Sequence, residues 1–209
     1  MTTIDKLKWR YATKKFDPNQ ILSEEKLEII KQAFNLTATS FGLQTIRLLV
    51  IKDKKVREAL VQHSFHQKQV LEASHLLAIC VQKDISDKDI DQHFSNVKAI
   101  RATPDTILEP FREDLKQIMK TKTIEERQEW SKKQAYIALG NLMAVCAFEK
   151  VDSCPMEGFD PIAYDDVLDL HNKNLKSVLL LPVGYRAKDD MFADLKKVRK
   201  QLGQAIIEM

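Results

Sequence analysis

Residues 135–148 read AYIALGNLMAVCAF, and this stretch decides the fold because it is apolar on nearly every side of a helix. A helix that is hydrophobic all round has to be buried all round. Residues 123–126, TIEE, match a capping box, which predicts that the helix begins there and runs to about Lys150. A chain of 209 residues has difficulty surrounding so long a buried helix by itself.

Gly140 lies in the middle of this stretch. A glycine inside a helix costs about 1 kcal/mol relative to alanine, and its usual reason is the close approach of another backbone. The sequence therefore predicts a homodimer with this helix at its centre. The alternative is that Gly140 is simply tolerated.

The other elements surround this helix. Continuous apolar runs predict buried strands at 76–81 and 177–181, and a short strand is predicted at 47–51. The stretch of about 86–122 has only helical periodicity, so we expect a helical excursion from the sheet. Helices outnumber strands and do not alternate regularly with them, which predicts an α+β fold in a single domain over residues 1–209.

Composition excludes several classes of protein. Lys and Arg total 33 against 30 Asp and Glu, and this small excess disfavours a nucleic-acid partner. No apolar run reaches the roughly 18 residues of a membrane-spanning helix, and the first residues lack a secretory signal pattern. Three cysteines without a C-x-x-C pair and five histidines without ligand spacing indicate no disulfide framework and no metal site. We therefore expect a cytoplasmic protein with no membrane contact.

Two basic clusters could bind a phosphate. Arg10 and Lys14 lie in irregular chain near the start, and residues 196–200 form a second cluster near the end. Arginine offers a two-pronged donor and lysine a point charge, a combination that suits a phosphate. For each cluster taken alone, the alternative is a solvated surface.

A third candidate is the loop at 154–160, which contains Pro155 and Gly158. A stiff loop of this kind can present backbone N–H groups to a closely approaching ligand, although it could equally be an ordinary connection. The motifs G-x-G-x-x-G, G-x-x-x-x-G-K-[ST] and G-x-S-x-G do not occur. Dinucleotide-binding, P-loop and hydrolase sites therefore lack their usual signatures.

Six motifs, in order, resemble those of the flavin-dependent nitroreductase family. They are RYATKKFD at 10–17, TATSFGLQ at 37–44, QKQVLEASH at 67–75, PMEGF at 155–159, LPVGY at 181–185 and KVR at 197–199. The match covers nearly the whole chain, from about residue 6 to residue 200. The resemblance implies a nitroreductase-like fold, with a central mixed, mostly antiparallel sheet flanked by helices in an intertwined homodimer.

The resemblance also implies FMN as cofactor, bound at the interface between the two subunits. Arg10, Lys197 and Arg199 would hold its 5′-phosphate. Tyr11 and Ala12 would place backbone groups beside the phosphate and the ribityl chain. A dianion needs two or three cations, which matches this assignment.

Other residues would surround the flavin ring. Lys14 would lie at the pyrimidine end, where a positive charge stabilises the anionic reduced ring. Pro155 and Met156 would pack on one ring face, and the backbone N–H of Glu157 or Gly158 would donate to flavin N5. The remaining implied contacts are His66 and Gln69, which align with polar flavin contacts, and Thr39, Ser40 and Gly42 from the partner subunit.

The sequence departs from the family pattern at three places. Thr45-Ile46 stands where many members have proline followed by an aromatic residue. Gln69 stands where some members have a second lysine, and His66 where asparagine is common. These departures alter the support behind the 37–44 loop and the polarity at the pyrimidine edge. They leave the phosphate cations and the 155–158 loop unchanged.

The resemblance implies an NAD(P)H-dependent FMN oxidoreductase with a ping-pong mechanism, reducing nitroaromatic, quinone or similar acceptors. No catalytic side chain is assigned, because the flavin supplies the chemistry. The helices of 86–122 would wall the substrate channel, with Phe94 or Phe111 as candidate contacts, although their helical spacing favours core positions. Two alternatives remain: a flavin-binding or sensing module with little turnover, and a non-redox interaction protein.

Overall fold

A four-stranded antiparallel sheet forms the centre of the protein. The computed structural model describes residues 2–209, so Met1, where the predicted domain begins, lies outside the described residues. The strands are β1 (Ile46–Ile51), β2 (His75–Gln82), β3 (Asp152–Ser153) and β4 (Leu175–Gly184), in the order β1-β2-β4-β3. Neighbouring strands pair antiparallel, and an isolated bridge between Ala12 and Ser153 is parallel. The α+β prediction is confirmed.

The two central strands are the apolar runs of the sequence. In β2, seven of the eight residues are buried, and Leu77 lies opposite Leu181 of β4. β4 is longer than predicted because it continues through Pro182 to Gly184. Proline has no N–H to give to a sheet, but the Pro182 carbonyl still accepts a hydrogen bond from the Cys154 N–H at 3.1 Å. The strand therefore tolerates the missing donor.

Helices cover both faces of the sheet. They are α1 (Thr3–Trp9), α2 (Glu24–Asn35), α3 (Lys54–Val61), α4 (Gln69–Glu72), α5 (Asp87–Arg101), α6 (Asp105–Lys120), α7 (Ile124–Phe148), α8 (Pro161–Val167) and α9 (Leu202–Ala205). Helices α2 and α7 share a core with Leu77 and Ile79 on one face, whereas α3 and α8 pack over Leu76 and Ala78 on the other. Within residues 2–209, no helix combines the length and hydropathy that crossing a bilayer requires.

Helices α5 and α6 occupy the stretch predicted as a helical excursion. They pack on each other around a separate apolar cluster that includes Ile90, Phe94 and Leu115. Phe94 is buried, as its helical spacing favoured, but Phe111 is 46% exposed. Of the two candidate channel contacts, only Phe111 presents a ring to the surroundings.

Helix α7 begins at the predicted capping box, in which Thr123 and Glu126 exchange hydrogen bonds, and ends two residues before the predicted Lys150. The single chain does not bury the helix all round. Ile137 is 50% exposed and Phe148 is 38% exposed. Gly140 lies on the same side of the helix, and a Cβ built there would have no atom within 4 Å. One apolar face of α7 is therefore uncovered in the single chain.

The end of the chain is extended over the surface. Residues 191–200 form no helix or strand, and only the short α9 follows. Apolar side chains in this arm are exposed, including Val198 at 89% and Ile207 at 87%. The chain leaves the compact core at Asp190, which is buried.

Candidate functional site

Residues from opposite ends of the chain line one surface depression of about 310 Å³. Arg10 contributes from the segment after α1, and Arg199 from the irregular C-terminal arm. The other lining residues are Tyr11, Ala12, Lys14, Phe192, Leu195, Lys196 and Lys197. The structure thus brings together all three predicted phosphate cations and the predicted residues 11, 12 and 14.

The depression is strongly cationic. Five lining residues are Lys or Arg and none is Asp or Glu. Burial and the neighbouring Arg199 lower the pKa of Arg10. Burial, Arg10 and Arg199 likewise lower the pKa of Lys197. Like charges held together without a carboxylate favour an anionic ligand.

One guanidinium atom of Arg10 supports the same conclusion. Its Nε is buried and has no hydrogen-bond partner among the described residues. A buried unsatisfied donor is costly, and a phosphate oxygen would satisfy it. The residues present therefore fit a phosphate group.

Asp190 holds the Arg10–Lys14 segment in place. Its Oδ2 accepts hydrogen bonds from the Tyr11 hydroxyl at 2.7 Å, the Lys14 N–H at 3.0 Å and the Lys15 N–H at 3.1 Å. Burial works to raise the pKa of Asp190, but these bonds outweigh it and hold that pKa below the ordinary value. The same residue begins the C-terminal arm, so it fixes both ends of the depression.

Arg186 supports this segment from the other side. It forms an ion pair with the buried Asp152, and its guanidinium lies 4.5 Å from the centre of the Tyr11 ring and 4.4 Å from that of Trp9. These contacts fix the Tyr11 ring. The sequence did not single out Arg186 or Asp190, because both partners in each contact are far apart along the chain.

The loop with Pro155 and Gly158 lies beside the cationic segment. The Thr13 N–H donates to the Ser153 carbonyl at 3.3 Å, two residues before Pro155. Met156 pairs through its backbone with Leu180, at 2.9 and 3.0 Å. The predicted phosphate segment and the predicted ring loop are therefore adjacent in the structure.

The side chain of Met156 does not project from the loop. It is 5% exposed and belongs to the core beneath the sheet, next to Cys154 and Leu180. That Pro155 and Met156 pack on a ring face stays a prediction, and for Met156 such a contact would be made through its backbone. Pro155 is half-buried and remains available for that face.

Two consecutive backbone N–H groups in this loop have no acceptor among residues 2–209. They belong to Glu157 and Gly158, the two residues predicted to reach flavin N5. The Glu157 carboxylate is drawn towards α7, where its Oε1 accepts from the Tyr136 hydroxyl at 3.0 Å. The loop therefore offers backbone donors and keeps its acidic side chain turned to one side.

The nearby 65–69 segment differs from the expectation in detail. His66 is exposed and has a left-handed backbone, with φ of 58°, and Gln69 is 7% exposed at the start of α4. Gln67 forms a hydrogen bond with the 155–158 loop, since its Nε2 donates to the Gly158 carbonyl at 3.0 Å. Sequence reasoning missed Gln67, although it lies inside a quoted motif, because linear sequence does not show which of two nearby glutamines faces the loop.

The predicted partner-derived residues lie elsewhere in the single chain. Thr39, Ser40 and Gly42 do not line the cationic depression. The Ser40 N–H donates to Oε1 of the buried Gln134 at 2.9 Å, and Gly42 has a left-handed φ of 71°. Within one chain the structure does not bring these residues to the candidate site, so their role stays a prediction about a partner subunit.

Aromatic rings lie at the 39–42 loop. Phe41, also left-handed with φ of 56°, stacks on Trp130 with ring centres 6.2 Å apart. The Phe111 ring meets the Phe41 ring edge-on, with ring centres 6.2 Å apart. A left-handed backbone at a non-glycine residue is strained and is common at functional sites.

A second cavity, of about 590 Å³, lies between α7, α8 and the edge of β4. Its lining carries three lysines and three carboxylates, so it has no cation excess and does not match a phosphate. The charged residues are Glu129, Lys132, Lys133, Glu157, Asp165 and Lys176.

The cysteines offer no nucleophile. Cys80, Cys146 and Cys154 are buried. Burial raises the pKa of Cys80 and of Cys146 to about 12 and also raises that of Cys154. A buried thiol with a raised pKa is unreactive.

Comparison with known proteins identifies this architecture. The α+β fold with an antiparallel sheet is that of solved nitroreductase-like structures. A nitroreductase-like protein of Streptococcus mutans superposes with a TM-score of 0.86 at 21% identity, covering 99% of this chain and 97% of that one. A protein of Exiguobacterium sibiricum, provisionally named as a nitroreductase and solved in complex with FMN, gives 0.85 at 18% identity, covering 100% and 98%.

Sequence comparison gives the family directly. The nitroreductase family model matches residues 7–185. A Staphylococcus aureus (strain N315) protein, provisionally named as an NAD(P)H nitroreductase, is 32% identical over 198 residues, or 90% of this chain and 88% of that protein. The Bacillus subtilis protein YfkO, with the same provisional assignment, is 31% identical over 89% of each chain. The chain belongs to the nitroreductase family.

Proposed function

We propose that this protein is an NAD(P)H-dependent FMN oxidoreductase that works as a homodimer. The observation that carries the proposal is that Arg10 and Arg199, from opposite ends of the chain, line one cationic depression beside a loop with two free N–H groups. Family membership, the FMN complex of the Exiguobacterium relative and the NAD(P)H in the names of curated relatives support it.

The residues would divide the cofactor between them. Arg10, Lys197 and Arg199 would bind the phosphate, since they supply the cations and an unsatisfied buried donor. Lys14 would lie at the pyrimidine end of the ring. FMN bound there would supply the redox chemistry, taking a hydride at N5 from NAD(P)H and returning it to a nitroaromatic or quinone acceptor in two half-reactions.

The Glu157–Gly158 backbone would position the reactive edge of the ring. Its free N–H groups are donors that could bond N5 without any proton transfer from the protein. Backbone donors fixed in advance cost no reorganisation during the reaction. The chain therefore needs no acid or base side chain at this place.

The dimer is proposed on two uncovered surfaces. The face of α7 around Gly140 exposes Ile137 and Phe148, and the C-terminal arm exposes Val198 and Ile207. Exposed apolar patches of this kind mark protein interfaces. Each chain would form a single domain over residues 1–209. In such a dimer, its 39–42 loop would contribute to the partner's site, where Phe111 could reach an acceptor.

A flavin-loading experiment tests the proposal. Purified protein is mixed with excess FMN, freed of unbound FMN by gel filtration, and examined for flavin absorbance. We expect absorbance to elute with the protein and to bleach when NADPH or NADH is added without oxygen, then to return with a quinone. Protein that elutes colourless would contradict cofactor binding, and bound flavin that no nicotinamide bleaches would favour the sensing module.

A further inference from the structure

The 155–158 loop contains a chain of hydrogen bonds that begins at a side chain and ends at a free N–H. The Gln67 Nε2 donates to the Gly158 carbonyl at 3.0 Å. The other end of that peptide unit, the Phe159 N–H, donates to the Glu157 carbonyl at 3.0 Å. The Glu157 carbonyl and the Gly158 N–H belong to the same peptide unit. This N–H has no acceptor among residues 2–209.

The direction of this chain is fixed. A carbonyl can only accept, so the group of Gln67 that faces Gly158 has to be its NH₂. The peptide bonds of the described residues are all trans, and a trans peptide places its N–H and its C=O on opposite sides. The Gly158 N–H therefore points in the opposite direction from the Glu157 carbonyl, away from the Phe159 N–H that donates to this carbonyl.

The contact is also close. A Cβ built on Gly158 would lie 3.0 Å from the Gln67 Nε2. A side chain at this position would crowd the Gln67 amide, which would have to shift by a few tenths of an ångström. Gln67 itself is only half-buried, and no other described residue donates to the Gly158 carbonyl.

We propose that Gln67 is a positioning residue that orients and strengthens the Gly158 N–H through this relay of two peptide units. Each hydrogen bond polarises the next, by about 10–30% per bond in condensed phase. The inference rests on the proposed function, in which the Gly158 N–H donates to flavin N5. A stronger donor there draws electron density from the atom that receives the hydride and speeds that step.

Nuclear magnetic resonance can observe the end of the relay directly. The chain has five glycines, and glutamate precedes glycine only at 157–158. Protein labelled with ¹⁵N-glycine and with ¹³C at glutamate carbonyls therefore gives a single Glu–Gly signal, that of the Gly158 amide. Its proton shift moves downfield as the hydrogen bond that it donates strengthens.

The decisive comparison is between wild type, Gln67→Leu and the control Gln62→Leu, each loaded with FMN. Gln62 is an exposed glutamine in the same segment and does not touch the loop. We expect the Gly158 proton to move upfield in Q67L, by about 1–9% of its displacement from a free amide because the effect passes through two bonds at about 10–30% each, and to stay in place in Q62L. We also expect bound flavin to be reduced by NADPH more slowly in Q67L, by less than about twofold, with little change in FMN affinity.

A second variant keeps the test valid if Q67L folds poorly. In Gln67→Glu a protonated carboxyl can donate to the Gly158 carbonyl, but a carboxylate cannot. The Gly158 proton of Q67E should therefore move upfield as this carboxyl ionises and return on acidification, with no such change in wild type.

The outcomes separate the two hypotheses. Wild type that retains no FMN defeats the proposed function, and the same shifts measured on FMN-free protein still test the relay. A Gly158 proton that is identical in wild type, Q67L and ionised Q67E overturns the relay, whether or not flavin binds.

Discussion

The hydroxyl of Tyr11 donates a hydrogen bond to Oδ2 of Asp190 at 2.7 Å, although 179 positions separate the two residues. The same oxygen accepts from two backbone N–H groups that follow Tyr11. This contact joins the segment after α1 to the start of the C-terminal arm. It explains how an arm without regular structure brings Lys197 and Arg199 beside Arg10.

Replacing Asp190 should weaken both the fold and the cofactor site. An asparagine cannot give the same charge-assisted acceptor, and such bonds contribute about 1.5–3 kcal/mol each. We expect Asp190→Asn to lower the free energy of unfolding by about that amount and to weaken FMN binding about tenfold, equivalent to about 1.4 kcal/mol. Denaturant unfolding and fluorescence titration with FMN measure the two effects.

Asp189→Asn is the matched control for that variant. Asp189 is exposed and forms an ion pair with Lys15 on the surface. Surface pairs contribute little, so we expect a change within about 0.5 kcal/mol and an unaltered FMN affinity. Equal losses in D190N and D189N would show that Asp190 has no special role.

The Asp190 contact also predicts a pH dependence. Its pKa is lowered from the ordinary value of 3.8, because hydrogen bonds to the carboxylate outweigh its burial. A group with a lowered pKa stabilises the fold above its unfolded pKa, and this contribution disappears as the pH falls through the folded pKa. The stability advantage of wild type over D190N should therefore be constant at neutral pH and shrink below pH 3.8. An advantage that grows on acidification would contradict this assignment.

Gly42 supplies a test of the 39–42 loop. Its φ of +71° would cost an L-residue about 1–2 kcal/mol. A Cβ there would also lie 3.1 Å from Cε1 of His93. We expect Gly42→Ala to lose stability in denaturant unfolding and to weaken FMN binding if the loop serves a partner's site.

A double variant separates the two causes. His93→Ala removes the steric contact but leaves the backbone conformation, so G42A/H93A should recover only part of the stability that G42A loses relative to H93A. Full recovery would mean that the left-handed φ carries no cost, and an unchanged stability in G42A would contradict both arguments.

The uncovered face of α7 predicts how a bulky residue at Gly140 acts. Nothing lies within 4 Å of a Cβ at Gly140 in the single chain, so leucine there fits a monomer but obstructs a helix packed across a dimer interface. We expect Gly140→Leu to dissociate the dimer in sedimentation experiments. Ala59→Leu adds similar bulk on an exposed side of α3 and should leave the dimer intact. A wild-type protein that sediments at the mass of one chain would contradict the proposed assembly itself.

Much of the fold could be predicted because its signals are local. Capping residues located the start of α7, and apolar runs located β2 and β4. The two-residue strand β3 was missed, because Asp152 and Ser153 are polar and become strand residues only by pairing with β4. Its position depends on tertiary contacts that a local pattern does not contain.

The candidate site divides in the same way. Residues with unusual chemistry, such as Arg10 and Arg199, were identified, since motifs report residue type and order. Asp190, which holds the segment after Arg10, and Gln67, which contacts the 155–158 loop, were not identified, because each acts through a contact with a distant backbone group. The exposed face of α7 also shows that all-round hydrophobicity does not ensure burial within the single chain.

The proposed function requires Arg10 and its cationic neighbours to recognise a phosphate, and this recognition can be measured by comparing the affinities of the protein for FMN and for riboflavin. Riboflavin lacks only the phosphate. We expect wild type and Lys15→Ala to prefer FMN, and Arg10→Ala to lose most of this preference, by about tenfold or more for a charge-assisted bond of 1.5–3 kcal/mol. An Arg10→Ala protein that keeps the full preference for FMN over riboflavin would contradict the account.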